Sequence, residues 1–313
     1  MANTYGKVSG TFEEIENAYG KVSGVWKEAD EIYGKVSGVW KLVFAAFTAG
    51  SVQTLSSGSG TFTVPDGANA IHIQASAGGG GGAAGGVSYD RAGGESSGAG
   101  GGSGAFVSDK VFTVTTGETI SYSIGSGGAA GNQTANYGQP KTGSAGTNTT
   151  LSGSTAGSIF TLAAGGGASG INGGVQGPLR TNIAGTAGSA TINGTAISSG
   201  NFRDTDGTTK SVTTLTSGPV GTFNQSGNGV AGNNNGNCSG DNCQIGGSTG
   251  AASYAGNIAG GAGSPQGGST GGSAGTRGSG GGGGGAQYGN ESVTGRAEVG
   301  GAGEIQYRFL RVN

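Results

Sequence analysis

Charge is scarce in this 313-residue chain: Asp, Glu, Lys and Arg make up 10% of it, and the formal net charge is -2. So neutral a chain offers nucleic acid no electrostatic footprint. Histidine occurs once, at His72, and cysteine twice, at Cys238 and Cys243. A zinc site needs more ligands of that kind. A serine triad would have to use His72, which alternates onto a strand face with no acidic companion nearby in sequence, so it reads as structural. Five prolines and no Gly-X-Y period exclude collagen. No run of about 20 apolar residues exists, so no membrane insertion is expected; Lys41 to Phe47 is too short. The polar N-terminus lacks the apolar centre of a secretory signal. Carboxylates are few in the body of the chain, which leaves little for a paired-carboxylate hydrolase, and the expectation is that the protein is no enzyme. Asp204 and Asp206 could chelate a cation, but turn chemistry explains them better, and no metal or cofactor is expected. Gly80, Gly82 and Gly85 match a dinucleotide fingerprint, a match without weight in a chain one quarter glycine.

Glycine is what the chain has: 77 residues, against a usual share of about 7%. It runs unbroken from Gly78 to Gly82 and from Gly280 to Gly285, with shorter runs at Gly100 to Gly102 and Gly165 to Gly167. Two readings are open. Gly/Ser-rich chain is ordinarily a flexible linker. Alternatively, the tracts pack as polyglycine-II helices, which have three residues per turn and no internal hydrogen bonds, so that every backbone group is free to bond a neighbouring helix. Ordering glycine costs roughly 0.5–1 kcal/mol more per residue than ordering alanine, so only dense inter-helix bonding would hold such a body together. Because strands are interleaved with the tracts, the packed reading is preferred.

Residues 1–50 form a separate, charged region with a period of 14: YGKVSGTFEEIENA, YGKVSGVWKEADEI and YGKVSGVWKLVFAA. Tyr5, Tyr19 and Tyr33 are equivalent, as are Phe12, Trp26 and Trp40. Each unit reads as an extended piece followed by a polar helical turn, such as Lys27 to Ile32. Three equal units in one chain can meet the three chains of a trimeric partner, with the aromatics as anchors. The alternative is a self-packed cap with those aromatics as a small core.

Residues 51–60 read as a linker, and residues 61–313 as one glycine-rich domain. Strands are expected at 61–64, 70–75, 105–115, 118–124, 158–163 and 303–309. In 70–75, Ile71, Ile73 and Ala75 alternate with His72 and Gln74. Thr116-Gly117 suggests that 105–115 and 118–124 form a hairpin. The strand at 303–309 suggests that the chain returns to the sheet where it began. The fold class is therefore mainly β with polyglycine-II helices: a small repeat-built attachment region, then a glycine-rich sandwich with short strands. Residues 193–255, rich in Asn, Thr, Ser and Gly, read as loops emerging from the glycine body. Phe202, Phe223, Asn224 and Tyr254 are their candidate recognition residues. Cys238 and Cys243, in Cys-Ser-Gly-Asp-Asn-Cys, can close a small disulfide ring that pins a loop tip, or remain as free thiols.

Polyglycine tracts, a threefold aromatic-bearing N-terminus and Asn/Ser/Tyr-rich loops together resemble the tail-fibre tip adhesins of T-even-type bacteriophages. The resemblance is architectural and covers most of the chain. The YGKVSG units are not that family's attachment sequence. The resemblance implies a virion protein at the distal tail fibre, at the host cell surface during adsorption. It would cap a trimeric tail-fibre protein and bind a host outer-membrane protein or surface polysaccharide through loops. The competing expectation is a structural tail, fibre or capsid-decoration subunit without receptor binding.

Overall fold

The structure is a computed structural model. It describes residues 5–8, 11–14, 19–23, 25–28, 31–36, 39–45, 47–84, 87–88, 95–96, 98–131, 142–168, 183–215, 226–227, 237–238, 274–275, 278, 287–288 and 297–313. Apart from one 3-10 turn at Val212–Thr214, the regular elements among these residues are strands.

The repeats fold as three two-stranded ribbons: β1 (Tyr5–Val8) with β2 (Thr11–Glu14), β3 (Tyr19–Val22) with β4 (Val25–Glu28), and β5 (Glu31–Val36) with β6 (Val39–Ala45). Each closes on the pair next to Ser-Gly: Val8↔Thr11, Val22↔Val25 and Val36↔Val39. Ser23 has φ 51°, the left-handed conformation that a tight two-residue hairpin loop needs. The helical turn expected over Lys27 to Ile32 is replaced by the end of β4 and the start of β5. Val, Trp and Tyr favour extended chain.

The remaining strands are β7 (Gln53–Leu55), β8 (Ser59–Thr63), β9 (Ala70–Ser76), β10 (Val87–Ser88), β11 (Glu95–Ser96), β12 (Phe106–Thr113), β13 (Thr119–Ser123) and β14 (Thr149–Gly153). They continue with β15 (Gly157–Leu162), β16 (Ala190–Ile192), β17 (Asn201–Arg203), β18 (Thr209–Ser211), β19 (Ser226–Gly227), β20 (Asn237–Cys238), β21 (Gln287–Tyr288) and β22 (Glu304–Leu310). Two five-stranded antiparallel sheets, ordered β19-β12-β9-β22-β7 and β16-β15-β14-β13-β8, share one core in a sandwich-like arrangement. Ile71, Ile73, Phe112 and Ile305 from the first sheet meet Ile120, Leu151, Phe160 and Leu162 from the second. The alternation in β9 holds: Ile71, Ile73 and Ala75 face this core, while His72 and Gln74 face away from it. The returning strand β22 pairs with β9 and β7.

Two expectations change. Residues 51–60 are no linker, since β7 forms an edge of the first sheet and β8 an edge of the second. β12 and β13 are no hairpin either: β12 pairs with β9, and β13 with β8 and β14. The Thr116-Gly117 turn, with Gly117 at φ 78°, carries the chain from one sheet to the other.

A glycine body grows from one end of the sandwich. The segment 77–84 runs through its middle. Ala77, Gly80 and Ala83 donate their N–H groups to Ala105, Gly102 and Ala99; Gly78 and Gly81 donate to Thr147 and Ser144; Gly79 and Gly82 donate to Gly301 and Glu298. Successive donors thus turn to three different neighbours, and each neighbour recurs after three residues. The carbonyls of Gly78 and Gly81 accept from Gly165 and Ala168, and those of Gly79 and Gly82 accept from Gly128 and Gly131. All these bonds lie between 2.8 and 3.2 Å. The backbones touch directly: a Cβ at Gly81 would lie 2.0 Å from the carbonyl oxygen of Ala129. Alanine replaces glycine where small side chains meet, as in the buried cluster Ala83, Ala99 and Ala168.

Candidate functional site

At the end of the glycine body remote from the sheets, Gly82 is tied to Glu298 and Gly131, Ala83 to Ala99, and Ala168 to Gly81 and Gly143. The segments ending at Ala84, Gly131 and Ala168 and those beginning at Gly98, Thr142 and Ile183 come together at this end. The connections 85–97, 132–141 and 169–182 therefore all begin and end at this one end. Two short ladders join the first of them to later chain: β10 runs parallel to β21, and β11 antiparallel to β20 in the register Glu95↔Cys238. Cys243, Phe223, Asn224 and Tyr254 lie outside the described residues, so the disulfide and three of the recognition residues stand as sequence expectations.

Phe202 is placed differently from a surface contact. It is 2% exposed and packs with Ala70, Val111, Val212, Leu215 and Leu310 on the outer face of the first sheet. The hairpin β17–β18 that carries it is clamped by charge. Arg308 Nη1 donates to Asp204 Oδ1 at 2.8 Å, Lys210 Nζ donates to Asp204 Oδ2 at 2.5 Å, and the Arg308 guanidinium lies 5.5 Å from the Phe202 ring centroid. Lys210 Nζ also reaches Asp206 Oδ2 at 3.3 Å. The two aspartates thus share the chain's own ammonium, and Asp206 Oδ1 accepts from the Thr208 N–H and hydroxyl. This is the turn chemistry expected for the pair.

The clamp titrates in acid. Burial pushes the Asp204 carboxyl up. The Lys210 hydrogen bond, the Thr205 N–H and the charges of Arg308 and Lys210 outweigh that and hold it below its usual value. The Thr208 hydrogen bonds hold Asp206 at about 2. A carboxyl whose folded pKa is lowered adds stability above its unfolded value, about 3.9, and loses it as pH falls through the folded value. The hairpin is therefore expected to loosen between about pH 4 and pH 2, seen as faster amide exchange at 201–211 while β9 stays protected. In Lys210→Ala the same loosening should begin at higher pH.

Farther along the same face, the structure supplies the acidic companion of His72 that sequence proximity did not show. Asp109, 37 residues away, meets His72 Nε2 at 3.1 Å and accepts from Gln74 Nε2 at 3.0 Å, both through Oδ1. It sits where the β12–β9 register shifts between Val107 and Lys110, at φ 48°. Such bulges re-aim side chains.

Residues 54–310 match the family described as glycine-rich domain. The chain belongs to the glycine-rich domain family. No curated protein matches it. The match begins within β7 and ends with β22, so the glycine-rich domain comprises the sandwich together with its glycine body. The three ribbons lie outside it. Their registers repeat one another: Lys7↔Phe12, Lys21↔Trp26 and Lys35↔Trp40, with Tyr5↔Glu14, Tyr19↔Glu28 and Tyr33↔Leu42. Every anchor candidate thus holds the same register position in its ribbon. Among the described residues no ladder joins one ribbon to another.

Proposed function

We propose that this protein is a non-enzymatic bacteriophage tail-fibre adhesin. Its glycine body is a bundle of polyglycine-II helices, its ribbons dock on a trimeric fibre protein, and the connections at the far end of the body bind a receptor on the host surface. The observation that carries this reading is the threefold rotation of hydrogen-bond partners along 77–84. A helix with three residues per turn and no internal bonds has that pattern of outward N–H groups. A core so bonded on all sides is a rigid stem. Three connections start and finish at its end, with Asn132, Gln133, Asn136, Tyr137 and Gln139 in one of them, and polar residues with aromatics on a rigid scaffold suit recognition. The receptor is an outer-membrane protein or a surface polysaccharide, and binding to it needs no cofactor.

The test replaces 132–141 and 169–182 by short Gly-Ser connections, separately and together, in particles that carry the protein. Adsorption to host cells is expected to fall at least about tenfold, the effect of losing one or two well-packed contacts. The protein should remain on the particle. Normal adsorption by the double replacement would favour a structural subunit without receptor binding.

A further inference from the structure

The second sheet ends on an edge that no described strand covers. β8 pairs with β13 on one side only. The bonds at its two ends fix which residues face β13: the Val64 N–H donates to the Glu118 carbonyl, and the Ile124 N–H donates to the Gly58 carbonyl. The register between them is unbroken. Backbone groups alternate sides along such a strand. The even-numbered residues therefore bond to β13, and the N–H and C=O groups of Ser59, Thr61 and Thr63 point outward. All three residues are exposed, and among the described residues no other backbone reaches those groups.

Edge strands are ordinarily blunted by Lys, by Pro, by a bulge or by extreme shortness. β8 has none of these devices. It is the uncharged five-residue run Ser-Gly-Thr-Phe-Thr, without a register shift. β7, at an edge of the first sheet, spans only three residues.

The spacing of the free groups suits a second copy of the same strand. Turned antiparallel about Thr61, two copies of β8 set Thr61 opposite Thr61, Ser59 opposite Thr63 and Gly60 opposite Phe62. Every outward residue then meets an outward residue, and each such pair exchanges two hydrogen bonds. A slip of one residue would set outward groups against inward ones and leave them unmade. Thr and Ser facing one another across strands are favourable pairs. On the inner face, Phe62 stacks on Tyr307 with ring centroids 4.3 Å apart, and Tyr122 lies over Gly60, where an added Cβ would be 2.9 Å from its hydroxyl. Pairing brings Phe62 of one copy beside Tyr122 of the other, so the aromatic cluster continues across the two-fold axis.

We propose that two copies of this protein pair through β8, antiparallel about Thr61, and join their second sheets into one continuous sheet. Such a contact is isologous and closes at two. It stands whether or not the adhesin reading does. Each copy keeps its own ribbons, so the number of copies expected on a fibre is unchanged.

Sedimentation of the full-length protein between about 5 and 500 µM is expected to show monomer passing into dimer. A Kd of about 0.1 mM suits an interface of one strand pair. At the highest concentration, amide exchange at Ser59, Thr61 and Thr63 should slow about threefold, while that at Phe62, already bonded to β13, should not change. Thr61→Lys sets two like charges face to face, and Thr61→Glu does so with the opposite sign. Each alone should weaken pairing at least about tenfold, and an equimolar mixture of the two should pair again. Thr61 is exposed, so neither change should move the melting temperature by more than a few degrees. A protein that stays monomeric at 500 µM, a dimer that Thr61→Lys leaves intact, or a mixture that fails to recover would overturn the proposal.

Discussion

Gly80→Ala is expected to disrupt the glycine body and cost the protein at least about 4 kcal/mol, beyond the range of ordinary substitutions. A Cβ at Gly80 would lie 1.9 Å from the carbonyl oxygen of Gly166 and 2.4 Å from its carbon. Both atoms are backbone, so no side chain can turn aside. The segments would have to part by more than 1 Å, on the order of the gap to an ordinary van der Waals distance. Parting them breaks the bonds from Gly80 to Gly102 and from Gly102 to Gly166, at 2.8 and 3.0 Å. Gly80 and Gly102 are buried, so water does not readily replace the partners they lose. Gly50→Ala is the control. It has no atom within 4 Å of the added carbon and no left-handed backbone, and should change stability by less than about 0.5 kcal/mol. Denaturant midpoints compare the two, and amide exchange at Gly78 to Gly82 locates the damage. Equal midpoints would mean that the segments are not packed as described.

The sandwich could be read from the sequence wherever side chains alternate. Ile71, Ile73 and Ala75 set one face of β9, and Ile305 and Tyr307 did the same for β22, because a period of two is a local signal. Pairing is not local. Thr116-Gly117 marks a turn correctly, yet nothing in those residues says whether the flanking strands pair with each other or with strands of different sheets. The short β7 was hidden by Ser and Gly on both sides. In the glycine body the difficulty is deeper. A run such as Gly78 to Gly82 has no side chains, so it carries no pattern to show which neighbour each N–H will meet. Only the restriction to glycine hinted that backbones approach closely. No sequence motif marks Asp109 as a partner of His72, because a bulge brings it there. Phe202 is an aromatic in polar sequence surroundings, which is equally the signature of an exposed contact and of a hairpin's buried peg. The hydrophobic partners that settle its burial, Val111 and Leu310 among them, lie about a hundred residues away on either side.

On the adhesin reading proposed above, removing the three repeat aromatics together, by Phe12→Ala, Trp26→Ala and Trp40→Ala, is expected to release the protein from the proposed trimeric fibre. An isolated two-stranded ribbon is marginally stable in water, and each ribbon here has only four to seven residues per strand. Something beyond the ribbon itself must hold it in place. The shared register offers a large aromatic, Phe12, Trp26 or Trp40, at the same ribbon position three times along one chain. A closed trimer presents three equivalent surfaces. One chain can engage all three only by repeating its anchor three times. Large aromatics that fill a pocket cost about 2 kcal/mol or more when truncated. Once the first ribbon is bound, the second and third bind at a raised effective concentration. A single substitution should therefore weaken attachment modestly, and the triple substitution far more than threefold. The glycine-rich domain, from residue 54 onward, should keep its melting temperature throughout. A ribbon region that merely packs on itself predicts otherwise: the triple variant would lose local order in residues 1–47 yet stay attached. Copy number separates the geometries as well. One copy of this protein for every three fibre chains fits three ribbons on three equal surfaces. Three copies would leave two of every three ribbons without a surface of their own, and the repeat would then need another purpose.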